Sequence, residues 1–313
     1  MNFRKIIIFL YLTIIAIFLW KFFQANKSEF LKYADQTNLP FILAAMLLFA
    51  PYTYFLSKFW QYIQQSEAEV SNPPSRLDWY LIYLYGFISK YIPGKISLVI
   101  SRIIFLTPYG YSSAQITTAS IIEQLSVILF TVFFSCCLLL IYPIPELYID
   151  TPVIALVLSC YLALPFLYKP AIQRLKNYSW ARSLLYSNTH IYKNAARICA
   201  AFVASMFIGG AVFYLFELAI FQQTASLDSY MKRIVIINVS SIASLLAFFV
   251  PSGIGVREGV IILALGPTLG FVEATSLSIL YRLFTSFSEI LILGLLYSVI
   301  KIHPLTQNNK VQQ

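Results

Sequence analysis

Apolar runs long enough to cross a bilayer follow one another through this chain, and no other feature limits its folding so strongly. A helical crossing needs about 20 mostly apolar residues. Runs at about 6–23, 39–63, 78–92, 114–142, 152–168, 197–222, 231–250 and 272–300 reach or approach that length. Two more, at 95–106 and 256–268, are too short: at 1.5 Å per residue each covers only about half to two thirds of a ~30 Å hydrocarbon core. Only 11% of the 313 residues are charged and 59% are hydrophobic, with a mean hydropathy of +0.75. Soluble proteins carry about 25% charged residues. Lipid is therefore the expected solvent for most of the surface, which excludes a soluble domain.

The expected fold is an all-α polytopic membrane protein with about six full spans plus half-helices. It forms one transmembrane domain over 1–305, and 306–313 is a disordered cytoplasmic tail. Arg4 and Lys5 before the 6–23 run imitate a signal peptide, but the run is long, aromatic and without an A-x-A site. It reads as an uncleaved first span.

The net charge of +9 points to the membrane and away from nucleic acid, because the cations sit in loops beside apolar spans. There they set topology and attract anionic lipid. The segment 169–197 holds six Lys/Arg and no acid, which makes it cytoplasmic by the positive-inside rule. Pro143 to Pro152 carries Glu146 and Asp150 without a cation, as suits the outer side. Arg4 and Lys5, then Lys301, His303 and Lys310, put both termini in the cytoplasm of a plasma-membrane protein. Ile172, Leu175, Trp180, Leu184 and Leu185 among the cations of 169–197 allow that loop to lie along the anionic inner leaflet. The alternative is a loop that only sets topology. His190 and His303 fall in cytoplasmic segments as solvated side chains, and Cys136, Cys137, Cys160 and Cys199 lie in apolar stretches, where thiols act as small hydrophobes. No metal or cofactor is implied.

Pro-Gly interruptions carry most of the functional information. The first half reads Lys90-Tyr-Ile-Pro93-Gly94-Lys95, and the second reads Val250-Pro251-Ser-Gly253-Ile-Gly255-Val-Arg257-Glu258. Each is a helix, a break and a half-helix, followed by a long span bearing an ionisable residue: Glu123 lies 30 residues after Pro93 and Arg282 lies 31 after Pro251. The units, about 78–142 and 231–300, read as a repeat, and the charge bias makes them inverted. Inverted repeats with discontinuous helices mark secondary transporters that bind near the midplane.

Proline removes a helical N–H, and glycine allows turns that side chains would block. Such open backbone is tolerated at membrane depth only inside protein or beside a watery cavity. Half-helices starting near Lys95 and Val256 turn free N–H groups and positive dipole ends toward that cavity, a cradle for phosphate, with Lys90, Lys95 and Arg257 adding full charge. The alternative for Lys90 is snorkelling to headgroups. Intramembrane charge costs at least ~2.5–3.5 kcal/mol, so Arg102, Glu123, Arg257, Glu258, Arg282 and Glu289 are functional candidates. Glu217, near the outer end of its helix, is expected to reach water. Glu123 and Arg282 hold matching positions and are expected to pair across the pseudo-two-fold axis, either as a lock between helices or as part of the transport site.

At these motifs the sequence resembles the lysylphosphatidylglycerol synthase transmembrane-region family, the flippase-like membrane domain also found in the multiple peptide resistance factor. The resemblance rests on Lys90 to Gly94 with Arg102, on Ser120-Ile-Ile-Glu123, on Val250 to Glu258, and on Leu280-Tyr-Arg282, and it runs from about 5 to 300. It implies transfer between leaflets of an anionic, aminoacylated, prenyl-linked or glycosylated lipid. The breaks, the intramembrane charges and the resemblance together give a candidate headgroup site of Lys90, Pro93, Gly94, Lys95, Arg102, Glu123, Pro251, Gly253, Gly255, Arg257, Glu258 and Arg282. Lysyl-lipid synthesis in such proteins uses a separate cytoplasmic aminoacyltransferase domain with no counterpart in these 313 residues, so synthase activity is not expected. Ser252, and Lys95 with Ser97, depart from a glycine-richer pattern.

An intramembrane enzyme is not expected, because H-E-x-x-H and G-x-S-x-G motifs are absent and neither histidine lies in a span. A non-transporting scaffold of an envelope-lipid biosynthesis complex is the alternative, although it would need no buried charge. Expected partners are the lipid substrate and anionic inner-leaflet lipids, with a homo-oligomer or envelope glycolipid and aminoacyl-lipid enzymes as further candidates.

Overall fold

A computed structural model describes residues 24, 37–67, 70–89, 96–147, 149–160, 191–247, 250 and 253–302. In chain order the helices are α1 (Leu39–Glu67), α2 (Arg76–Ile88), α3 (Ile96–Leu106), α4 (Ser113–Ile141), α5 (Thr151–Cys160), α6 (Ile191–Phe221), α7 (Leu227–Leu246), α8 (Val256–Leu269) and α9 (Phe271–Ile302). The described residues form no strand. The protein is an all-α polytopic membrane protein. The expected 6–23 span, most of the 169–197 loop and the 306–313 tail lie outside the described residues.

Among the described residues, four helices are long and apolar enough to cross a membrane: Leu39–Glu67, Ser113–Ile141, Asn194–Phe221 and Phe271–Leu296. α7 has 20 residues, but Asp228, Lys232 and Arg233 occupy its first two turns, which shortens its apolar part. The two half-helices form as expected, α3 with 11 residues and α8 with 14. The order helix, short helix, long helix therefore occurs twice, as α2–α3–α4 and as α7–α8–α9.

Local chemistry sets the boundaries. Ser75 and Asp78 form a reciprocal capping box at the start of α2, and Ser112 and Gln115 form one at α4. Each satisfies N–H groups that the first helical turn leaves open. Ser226 caps α7 through the Ser229 N–H. Before α8 the cap is Gly255 at φ +87°, whose N–H donates to Glu258 Oε2 at 2.6 Å. Gly253 is also left-handed, at φ +62°, and a Cβ there would overlap the Ser244 hydroxyl on α7. Only glycine fits both the angle and the approach.

α1 lies along α6 at the centre and also meets α2, α4 and α9. Pro51 interrupts its hydrogen-bond ladder. At that level the Tyr80 hydroxyl from α2 sits 2.6 Å from Thr53 Oγ1 and donates to the Ala50 carbonyl at 3.2 Å. The main core combines Phe49, Leu84, Phe213, Phe216, Leu277 and Phe284. A second cluster packs Trp60, Trp79, Leu106, Tyr111 and Ile116. The outward faces are apolar instead: Ile121, Leu125 and Leu129 recur every four residues on α4, and Leu283, Phe287 and Ile290 stand out from α9. Charge inside and leucine outside is the arrangement that lipid, and not water, stabilises.

Candidate functional site

Each short helix folds back on the long helix after it, and each hairpin is tied by one arginine and one glutamate. In the first unit Arg102 on α3, 1% exposed, grips Glu123 on α4, 4% exposed. Both terminal nitrogens engage the carboxylate, Nη2 donating to Oε1 at 3.2 Å, and Nη1 also donates to Ser120 Oγ at 3.1 Å. The guanidinium lies 4.2 Å from the centre of the Trp60 ring, a cation–π contact, and nearer to it than to the Tyr83 ring at 5.8 Å. Trp60 in turn packs on Trp79.

In the second unit the charges are exchanged. Glu258 on the short helix α8 accepts from Arg282 on the long helix α9 at 2.6 Å through Oε1, while its Oε2 holds the Gly255 N–H. One carboxylate thus fixes both the break and the next helix. The expected Glu123–Arg282 pair does not form; each residue is matched within its own unit. The reason is hairpin geometry. In two antiparallel helices joined by a short turn, residues about equally far from the turn face each other. The midpoint between Glu258 and Arg282 is Gly270, and that between Arg102 and Glu123 falls at the Ser112 cap.

The same rule locates a third pair. The midpoint between Glu217 and Arg233 is Ala225, in the turn between α6 and α7. Arg233 donates to Glu217 from Nε at 2.8 Å and from Nη2 at 2.7 Å. Glu217 was expected to reach water, yet it is 0% exposed, because α7 lies over it and brings the arginine with it. Nothing local in the sequence marks Arg233, which lies with Asp228 and Lys232 at the polar start of its span.

Arg257 differs from these three arginines. It makes no ion pair among the described residues, whereas the other three do; its Nε, like that of Arg102, is buried without a hydrogen-bond partner. Its guanidinium lies 5.6 Å from the Tyr281 ring centre. Tyr52 from α1, within the electrostatic reach of Arg257 and Glu289, joins the same surroundings, as does Tyr281. Tyr83 from α2 feels Glu123, Arg102 and Glu289. Glu289, two turns beyond Arg282 on α9, is 2% exposed. The two units approach each other through α1, which meets α2 and α4 of the first and α9 of the second. The tyrosines were invisible in the sequence, since 22 tyrosines spread over the chain give no pattern.

Of the residues singled out from sequence, Arg102, Glu123, Gly253, Gly255, Arg257, Glu258 and Arg282 are placed as described. Lys90, Pro93, Gly94, Lys95 and Pro251 lie outside the described residues. All four cysteines are free thiols. No curated protein matches the chain. The family model described as Lysylphosphatidylglycerol synthase TM region matches residues 6–294, so the chain belongs to that family.

Proposed function

We propose that this protein is a lipid flippase that moves a phosphate-bearing lipid, anionic, aminoacylated, prenyl-linked or glycosylated, between the leaflets of the plasma membrane. Arg257 carries the reading. Arg257 meets the Tyr281 side chain, by its ring and by a hydrogen bond, but no carboxylate among the described residues, and a cation–π contact is worth about 0.5–2 kcal/mol. The half-buried charge has no anionic partner among the described residues, so an incoming phosphate offers the stronger, charge-assisted one. The α8 N-terminus beside it adds a dipole of the right sign. The family match supports a lipid-related membrane role.

In this reading Arg102–Glu123 and Glu258–Arg282 hold the hairpins of two inverted units, and the units rock against α1 while the acyl chains stay in lipid. Transfer needs no covalent step, so the protein is not an enzyme and needs no cofactor. The basic 169–197 segment and both termini face the cytoplasm and its anionic lipids. Envelope-lipid enzymes or a second copy of the chain are the proposed protein partners.

A second reading, a non-transporting scaffold in an envelope-lipid assembly, is favoured by one observation: three arginine–glutamate pairs, two of them buried, are satisfied internally. Reconstitution separates the two. Vesicles carrying the protein and a fluorescent phospholipid are exposed to an external quencher. A flippase makes inner-leaflet lipid accessible faster than protein-free vesicles do, whereas a scaffold leaves the rate unchanged.

A further inference from the structure

A cavity of about 280 Å³ lies away from Arg257, between the turn after α4, the start of α7 and the far end of α8. Its polar walls are Glu146, Asp228, Lys232 and Arg233, and its apolar floor includes Ile236 and Leu265. Two acids and two bases of this kind do not select a simple anion. Lys232 is tied only loosely, to Asp228 at 2.9 Å, with the two side chains 30% and 57% exposed. Arg233 gives its Nε and Nη2 to Glu217, which fixes the guanidinium and leaves Nη1 for a further partner. Glu217 is therefore a positioning residue behind the wall. The volume is just below the ~300 Å³ at which drug-sized pockets begin, which suits a small headgroup and not a whole lipid.

We infer that this cavity binds a zwitterionic phospholipid headgroup, with its phosphate on Lys232 and Arg233 and its ammonium on Glu146 and Asp228. The inference rests on the lipid-transfer reading and deepens it. Leu265 in the cavity floor is eight residues from Arg257 on the same half-helix, about 12 Å along its axis. A headgroup leaving Arg257 would find its next polar station at the other end of α8. Glu146, in the loop lacking basic residues, gives this station the outer side in the proposed topology.

The test is calorimetric titration of the full chain in maltoside detergent with glycerophosphoethanolamine, glycerophosphoglycerol and inorganic phosphate. The expected result is at least about tenfold tighter binding of the ethanolamine compound, equivalent to ~1.4 kcal/mol. Glu146→Gln with Asp228→Asn should erase that preference, and Lys232→Gln should weaken both diesters. A dihexanoyl phosphatidylethanolamine should bind more tightly than its deacylated headgroup if the ligand is a lipid. Weaker binding of the short-chain lipid would assign the site to a free glycerophosphodiester and overturn the inference. Equal binding of the two diesters would also overturn it. So would binding that survives the double acid variant and is lost in Arg257→Gln. Headgroup binding with no lipid transfer in vesicles would remove the flippase reading and leave the cavity's specificity standing; transfer without this binding would do the reverse.

Discussion

Glu258 on α8 holds Arg282 on α9 at 2.6 Å, the charge-reversed counterpart of Arg102 holding Glu123 between α3 and α4. In both units the short half-helix is locked to the long helix that follows it. Removing one member of a buried pair leaves the other charge uncompensated, at a cost of roughly 3–5 kcal/mol, whereas removing both is often near neutral. Glu123→Gln is expected to lower the melting temperature sharply, and Arg102→Gln in the same chain to restore most of the loss. Glu123→Gln with Arg282→Gln should instead add the two losses, because those residues belong to different pairs. Melting curves of the single and double variants, read as a double-mutant cycle, check this.

Glu217 is 0% exposed and serves Arg233 with both carboxylate oxygens. Glu217→Gln is expected to destabilise by a similar ~3–5 kcal/mol. It should also weaken headgroup binding in the neighbouring cavity, since Arg233 would lose its fixed orientation. Thermal melts and the titration above measure the two effects separately.

Gly253→Ala is expected to be costly on two counts. A left-handed alanine costs about 1–2 kcal/mol, and its methyl would overlap Ser244 on α7. Gly255→Ala meets nothing within 4 Å, so only the backbone term applies. Comparing the two alanine variants by thermal melting isolates the packing contribution at the break.

How far these features can be read from sequence depends on the length scale of the cause. The half-helices at 96–106 and 256–269 follow from local breaks and run length, and sequence places them within a residue. Arg102, Glu123, Arg257, Glu258 and Arg282 stand out because charge is rare in apolar runs. The partners did not, because matching positions across the repeat competed with hairpin geometry, and the nearer element won. Counting outward from the turns at Ala225 and Gly270 would have found Glu217–Arg233 and Glu258–Arg282. Trp60, Tyr52 and the cavity at Glu146 could not be found that way, since they depend on how α1 and the loops pack in three dimensions.

Orientation is tested by labelling. In a chain with its four native cysteines replaced, Glu146→Cys should react with an impermeant reagent from outside the cell and Asn188→Cys only after permeabilisation. Reaction of both from outside would contradict the proposed topology and the inversion of the repeats.

The most direct measurement is lipid transfer by Arg257→Gln in reconstituted vesicles, at matched protein amount and with melting recorded in parallel. Arg257 makes no ion pair among the described residues, and its Nε is buried and unpartnered, so its removal should cost little stability. The account predicts at least a tenfold slower transfer with the fold intact. Transfer at the unaltered rate would contradict it and reduce Arg257 to an anchor.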